Sequence, residues 1–355
     1  MQKEYIMTKR EMEAYCGDTK QIFGIQECRL EGGKATGTKA FHVRNGKGIE
    51  TLILADKCLG IGQLFFKGTN IGFLSKAGIV APQFFSEEGT RGFLRTFEAG
   101  FLTTCGLSYM GQPSEVNGQK NGLHGVISNI PVESLSSDVV WSENGDAVML
   151  LTGKASEGYL FGPNLEIRKT ILIHTEQNRL EIHDRVDNKG FSESPLMLLY
   201  HMNFGYPMLD ENVQIYNNYD LLTAREDPAS LQGIDKLSVF EKPVPGADEI
   251  VGYWRKDPSS SKEGKILVHN PVLGLAVEIT VDTKQLPILN QWRCVAAGDY
   301  ALGLEPGTSH VGGYTAAAKD GLLMMIGAGE SRFFDIIVDF HDDPDVIKER
   351  IESFK

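Results

Sequence analysis

Along most of the chain, apolar and polar residues alternate in short runs that stop at Gly, Pro, Asn or Asp. Side chains on a strand point to opposite faces with period two, so this pattern predicts an antiparallel β protein. In LEIRKTILIHTEQNRLEIHDRVDNKG, Leu165, Ile167, Ile171 and Ile173 fall on one face, interrupted by Lys169. A turn over residues 176–178 follows, and then Leu180, Ile182, Asp184 and Val186 alternate down to a second turn over 187–190. KILVHNPVLGLAVEITVD, residues 265–282, reads as another hairpin, joined through Asn270-Pro271 and Gly274. The stretch 235–264 is richer in charge, Ser, Pro and Gly, and reads as a long surface excursion.

Helical periodicity is scarce. DPDVIKERIESF predicts a C-terminal helix, with Asp343 as cap, Pro344 at the first helical position, and Val346, Ile347, Arg350 and Ile351 leaving an apolar stripe. A weaker helix is expected over residues 8–15. Many short strands over this length imply two packed sheets with a broad concave face. The expected organisation is one all-β domain over residues 1–355, with N-terminal strands and a short helix in 1–47 and the C-terminal helix in 341–355.

Composition narrows the partners. A formal net charge of −12 argues against nucleic acid or an anionic membrane surface, both of which need clustered Lys and Arg. The expected partner is a small molecule. The five cysteines, at 16, 28, 58, 105 and 294, form no C-x-x-C pair, which fits a reducing compartment. The first 18 residues lack the apolar core of a signal peptide, and no apolar run approaches the roughly 20 residues of a membrane helix. A cytoplasmic location is expected; the oligomeric state is not legible.

Three segments carry candidate chemistry. In LLYHMNFGYP, Leu198, Tyr200, Met202 and Phe204 share one strand face, while Leu199, His201, Asn203 and Gly205 share the other. That second face looks like the floor of a site. In NGLHG, Asn121 and His124 are framed by glycines that let the backbone turn sharply or approach a ligand. In YALGLEPGTSHVGGY, Tyr300, Leu302 and Leu304 face one way and Ala301, Gly303 and Glu305 the other, so two tiny residues leave empty volume beside a carboxylate. Each segment alone also has an ordinary reading, as a hydrogen-bonded structural histidine, a turn or a solvated strand end.

Taken together and in this order, the three segments resemble the aldose 1-epimerase (galactose mutarotase) superfamily. The likeness is to a divergent branch, carried also by PLMLLYHMNFGYP, the V-D-N-K-G strand end, FLTTCGL at 101–107 and GLEPGTSHVGGY, and it runs from about Gly48 to Phe340. The resemblance implies a large antiparallel β-supersandwich and interconversion of the α and β anomers of a free monosaccharide, without metal or organic cofactor. It places a general acid at His201, a general base at Glu305 and a sugar-positioning histidine at His124. It further implies sugar contacts from Asn203 and Asn121, an arginine at Arg95 with Arg91 as the alternative, and an apolar wall at Trp292.

One segment departs from the branch. Where D-R-C-x-D-I-G is expected, the chain has ADKCLGIG, so Lys57 stands for arginine and Gly60 for aspartate. If those positions touch the ligand, the preferred sugar differs or activity is weak. Lys57, Arg91 and Arg95 would then form a local basic spot. Two other functions stay open at this point: a carbohydrate-binding or sugar-sensing protein without turnover, and a metal-dependent sugar isomerase using His124, His201, Glu305 and His310.

Overall fold

In the computed structural model, which describes residues 8–116, 118–142, 146–257 and 259–355, the alternating runs become two large antiparallel sheets. The first seven residues of the N-terminal segment, and Pro258 in the 235–264 stretch, lie outside the described residues. One sheet has eleven strands and the other eight. Their facing sides share a core that includes Tyr200, Met202, Phe204, Leu302 and Leu304 from the first and Leu165, Ile167, Ile171, Leu180 and Ile182 from the second. The even-numbered face of the 198–204 stretch is therefore the inner face of a β-sandwich.

The two hairpins read from the sequence are present, as Asn164–His174 with Arg179–Asn188 and as Glu263–Asn270 with Leu275–Asp282. Lys169, the polar interruption, is buried in the core and lies opposite Asp184. Its Nζ sits 2.5 Å from Asp184 Oδ2, and the Tyr200 hydroxyl donates to the same oxygen at 2.8 Å. A buried charge is tolerable only with such partners.

Both predicted helices form. Thr8 caps Lys9–Tyr15 in a reciprocal capping box with Glu11. Asp343 caps Pro344–Glu352, and Ile347 is buried against Leu267 and Ala276 on the outer side of the eight-stranded sheet. No helix among the described residues is long and apolar enough to cross a membrane.

The reading of 235–264 as a surface excursion is corrected. It contains the strand Ile250–Arg255, which pairs with Ile288–Cys294 on one side and Leu221–Ala224 on the other. Flanking turn chemistry hides it, since Pro and Gly on both sides dominate the local composition. Three six-residue helices, Gly89–Leu94, Pro228–Gly233 and Tyr314–Lys319, were also unanticipated. For Pro228–Gly233 a signal existed: Asp227 accepts from the Ser230 amide as N-cap and Pro228 occupies the first turn.

The far side of the eleven-stranded sheet is not bare. Leu199 and Val251 on it, with Met197 just before the first of these strands, pack against Phe93, Phe97, Leu123 and Val311 from loops and short helices. The candidate chemistry lies in this smaller layer.

Candidate functional site

Leu199–Phe204 and Ala301–Gly307 are adjacent antiparallel strands whose register sets Met202 opposite Leu304 and Asn203 opposite Gly303. The same register brings His201 level with Glu305, and His201 Nε2 lies 3.2 Å from Glu305 Oε1. Both side chains are buried. Gly303 is the residue that permits this pairing. A Cβ built there would lie 2.3 Å from Glu305 Oε1 and 3.1 Å from the Trp292 Cβ. The space above Gly303 is thus not vacant, as the sequence suggested. Glu305 folds its own carboxyl into it.

His124 reaches the pair from a loop. Its amide donates to Gly111 O and its carbonyl accepts from the Gly106 amide, which fixes the loop on both sides. Its φ of +59° is a left-handed conformation that side chains other than glycine rarely adopt. Such conformations concentrate at functional sites. The His124 ring stands 5.7 Å from His201 and 5.0 Å from Phe93, and Phe97 stands 5.0 Å from His201. Its Nδ1 is buried without a hydrogen-bond partner.

These three residues lie at a cavity of about 840 Å³, which Trp292 also lines. Trp292 Nε1 donates to Glu249 at 2.9 Å, and Glu249 accepts from Arg225 at 2.7 Å. Arg225 and Glu249 are cavity residues that sequence reasoning missed. Arg225 follows the strand Leu221–Ala224 in LLTARED, where an arginine beside two carboxylates looks like an ordinary surface charge.

The remaining expected site residues are dispersed. Arg95 lines the cavity only at its mouth, with its side chain 63% exposed and 3.6 Å from Glu88. Arg91 is exposed and is not among the lining residues. Asn121 lies on the short ribbon pairing Ser114–Val116 with Gln119–Asn121, beside a different cavity. Asn203 is fully buried, donates to the carbonyls of Ala99 and His201, and does not line the cavity. Its amide oxygen and the His201 Nδ1 are both buried without a hydrogen-bond partner, so Asn203 touches the histidine through the backbone carbonyl alone.

Lys57 and Gly60 are buried behind the site and form no basic spot with Arg91 and Arg95. Lys57 Nζ lies 2.6 Å from Glu98 Oε2 and donates to Thr96 O at 2.7 Å. It thereby anchors the turn that presents Phe97 to the cavity. His310 is turned into a neighbouring cavity, 2.9 Å from Asp320 and stacked on Tyr253, apart from the other two histidines. Among the described residues, no three His, Cys, Asp or Glu side chains converge as a metal site.

Burial controls the electrostatics. It pushes the Glu305 carboxyl well above the usual carboxylate range, helped by the negative charge of Glu249 and opposed by Arg225. Burial also drives His201 well below the ordinary imidazole value, with His124 adding to the effect and the Asn203 side chain opposing it. His124 falls to about 4 for the same reason. Burial therefore favours the neutral form of each group. Both shifts run against the order of water values, in which a Glu ionises below a His. The arrangement sets a carboxyl and an imidazole side by side at a cavity a small polar ring could enter.

A family model described as a domain of unknown function, DUF4432, matches residues 35–339. No curated protein matches the chain by sequence. Among solved structures, a provisionally assigned aldose 1-epimerase from Klebsiella pneumoniae is similar with a TM-score of 0.85, at 22% identity over 95% of this chain and 90% of that one. A galactose mutarotase-like protein from Clostridium acetobutylicum gives 0.63, at 14% identity over 91% and 100%. A galactose 1-epimerase from Lactobacillus acidophilus gives 0.60, at 10% identity over 90% and 99%. At these identities the likeness shows the fold, a galactose mutarotase-like β-sandwich, and not the reaction.

Proposed function

The chain belongs to the DUF4432 family of domains of unknown function, and we propose that it is an aldose 1-epimerase-like enzyme that interconverts the anomers of a free sugar. The observation that carries the proposal is the buried His201–Glu305 pair, 3.2 Å apart at the cavity and backed by His124.

Ring opening needs a base at the anomeric hydroxyl and an acid at the ring oxygen, held on one small molecule. Glu305 takes the hydroxyl proton while protonated His201 donates to the ring oxygen. The bond between the anomeric carbon and the ring oxygen breaks, and the electron pair of the hydroxyl forms the aldehyde. After rotation about the adjoining carbon–carbon bond, the same pair runs the step backwards on the other face. His124 positions the sugar. Trp292 provides a flat wall.

Burial works in favour of this step. A carboxylate with a raised pKa is a stronger base and an imidazolium with a lowered pKa a stronger acid. Ring opening discharges both, leaving the neutral pair that the site already prefers.

The test is acceleration of anomer exchange, followed by saturation-transfer NMR over a panel of neutral and anionic aldoses. No acceleration with any of them overturns the proposal.

Gly303 supplies a finer check. Gly303→Ala drives a methyl group into the Glu305 carboxyl and the Trp292 Cβ. Displacing a reacting group by about 1 Å costs roughly 100-fold. A loss of about 10- to 100-fold in turnover is expected, with the fold retained in circular dichroism. Unchanged turnover would show that the carboxyl need not sit where it does.

A further inference from the structure

We propose that the sugar this cavity is built for is a deoxy sugar, one that presents a methyl or methylene group where a common aldose has a hydroxyl. The inference rests on the sugar-site reading above and adds the substrate class.

A buried hydroxyl without a hydrogen-bond partner is penalised, and a common aldose carries a hydroxyl on nearly every ring carbon. The buried polar side chains lining the cavity are His124, His201 and Glu305. The reaction commits His201 and Glu305 to the ring oxygen and the anomeric hydroxyl. That leaves the unpartnered Nδ1 of His124 for one other group. The buried remainder of the lining is apolar, with Phe93, Phe97, Leu123, Val251 and Val311 prominent in it. Phe93 and Phe97 also stack on each other, with centroids 4.7 Å apart, so the wall beside the histidines is aromatic and fixed.

The other polar lining residues do not repair this. Lys34, Lys76, Arg95, Gln112 and Glu249 are exposed, at the mouth. Lys76 is paired with Asp299 at 2.6 Å, and Arg225 is held by Asp227 and Glu249. Ser75, half-buried, gives its hydroxyl to Phe97 O at 2.6 Å. A ring edge turned away from the anomeric centre therefore meets carbon. A methyl group gains contact there, whereas a hydroxyl is stranded. An apolar wall discriminates against an added hydroxyl by up to about 100-fold.

The experiment compares sugars that differ only at that edge: L-fucose with L-galactose, L-rhamnose with L-mannose, and D-quinovose with D-glucose. Anomer exchange gives kcat/KM, and calorimetry on the same protein gives affinity. The expected result is a preference of about 10- to 100-fold for the deoxy member of at least one pair, in both measurements. Turnover that is equal within every pair, or better with the hydroxylated sugar, overturns this inference and leaves the epimerase reading intact. Deoxy-selective binding without any turnover sustains the inference and overturns the epimerase reading. Neither binding nor turnover with any of these sugars overturns both.

Discussion

Glu305→Gln should abolish nearly all anomer exchange while the protein still binds its sugar. The amide keeps the shape of the carboxyl and its place above Gly303, but it cannot accept the anomeric proton. Loss of a general base typically costs about 100- to 10,000-fold, and the upper end is expected here because burial has made Glu305 an unusually strong base. Saturation-transfer NMR reads the rate, and calorimetry reads binding. Retention of a tenth or more of the wild-type rate would remove Glu305 from the mechanism.

The pH profile follows from the same pair. Two coupled groups titrate as a unit, and the active form carries one proton between them. With ordinary values of 4.5 and 6.5, that form would dominate only in the narrow interval between them. Burial opposes a positive pair, so gain of a second proton moves below the ordinary histidine value. It equally opposes a negative pair, so loss of the last proton moves above the ordinary carboxylate value. The wild-type profile therefore has an acidic limb set by charging His201 and an alkaline limb set by ionising Glu305. In Glu305→Gln the alkaline limb should vanish from the residual activity, because the group that sets it is gone.

His201→Ala should lower turnover by about 100- to 10,000-fold and leave a folded protein. The folding expectation comes from the strand's other face, where Tyr200, Met202 and Phe204 make the sandwich core contacts and are untouched. Circular dichroism and thermal melting check the fold, and anomer exchange checks the rate. Near-normal turnover in a protein with the native melting temperature would make His201 structural.

Much of this architecture is legible in the sequence because period two is a strong signal. The opposite facing of Tyr200 and His201, and of Leu304 and Glu305, can be read from alternation alone. Local capping chemistry likewise marks both terminal helices. Three things are not legible. The strand Ile250–Arg255 is masked by its flanking turns. The choice among arginines depends on which strand end comes beside Trp292, a matter of sheet order, and so Arg225 is invisible while Arg95 and Arg91 stand out by their nearness to FLTTCGL. The ionisation order of Glu305 and His201 is set by desolvation, which no local pattern reports. The residues standing at Lys57 and Gly60 are visible as departures, but only the fold reveals that they lie behind the site.

The Leu199–Phe204 strand divides its labour by parity, and this has a consequence for how such a chain diverges. Substitutions at even positions are screened by whether the sandwich holds together, whereas one at His201 is screened by what the cavity accepts. Because the two sets of side chains share only a backbone, drift in one exerts little pressure on the other. A lineage can keep its scaffold while its ligand changes, or decorate a constant site with a rewritten interior. The retention of this fold at 22% identity is what such independence permits.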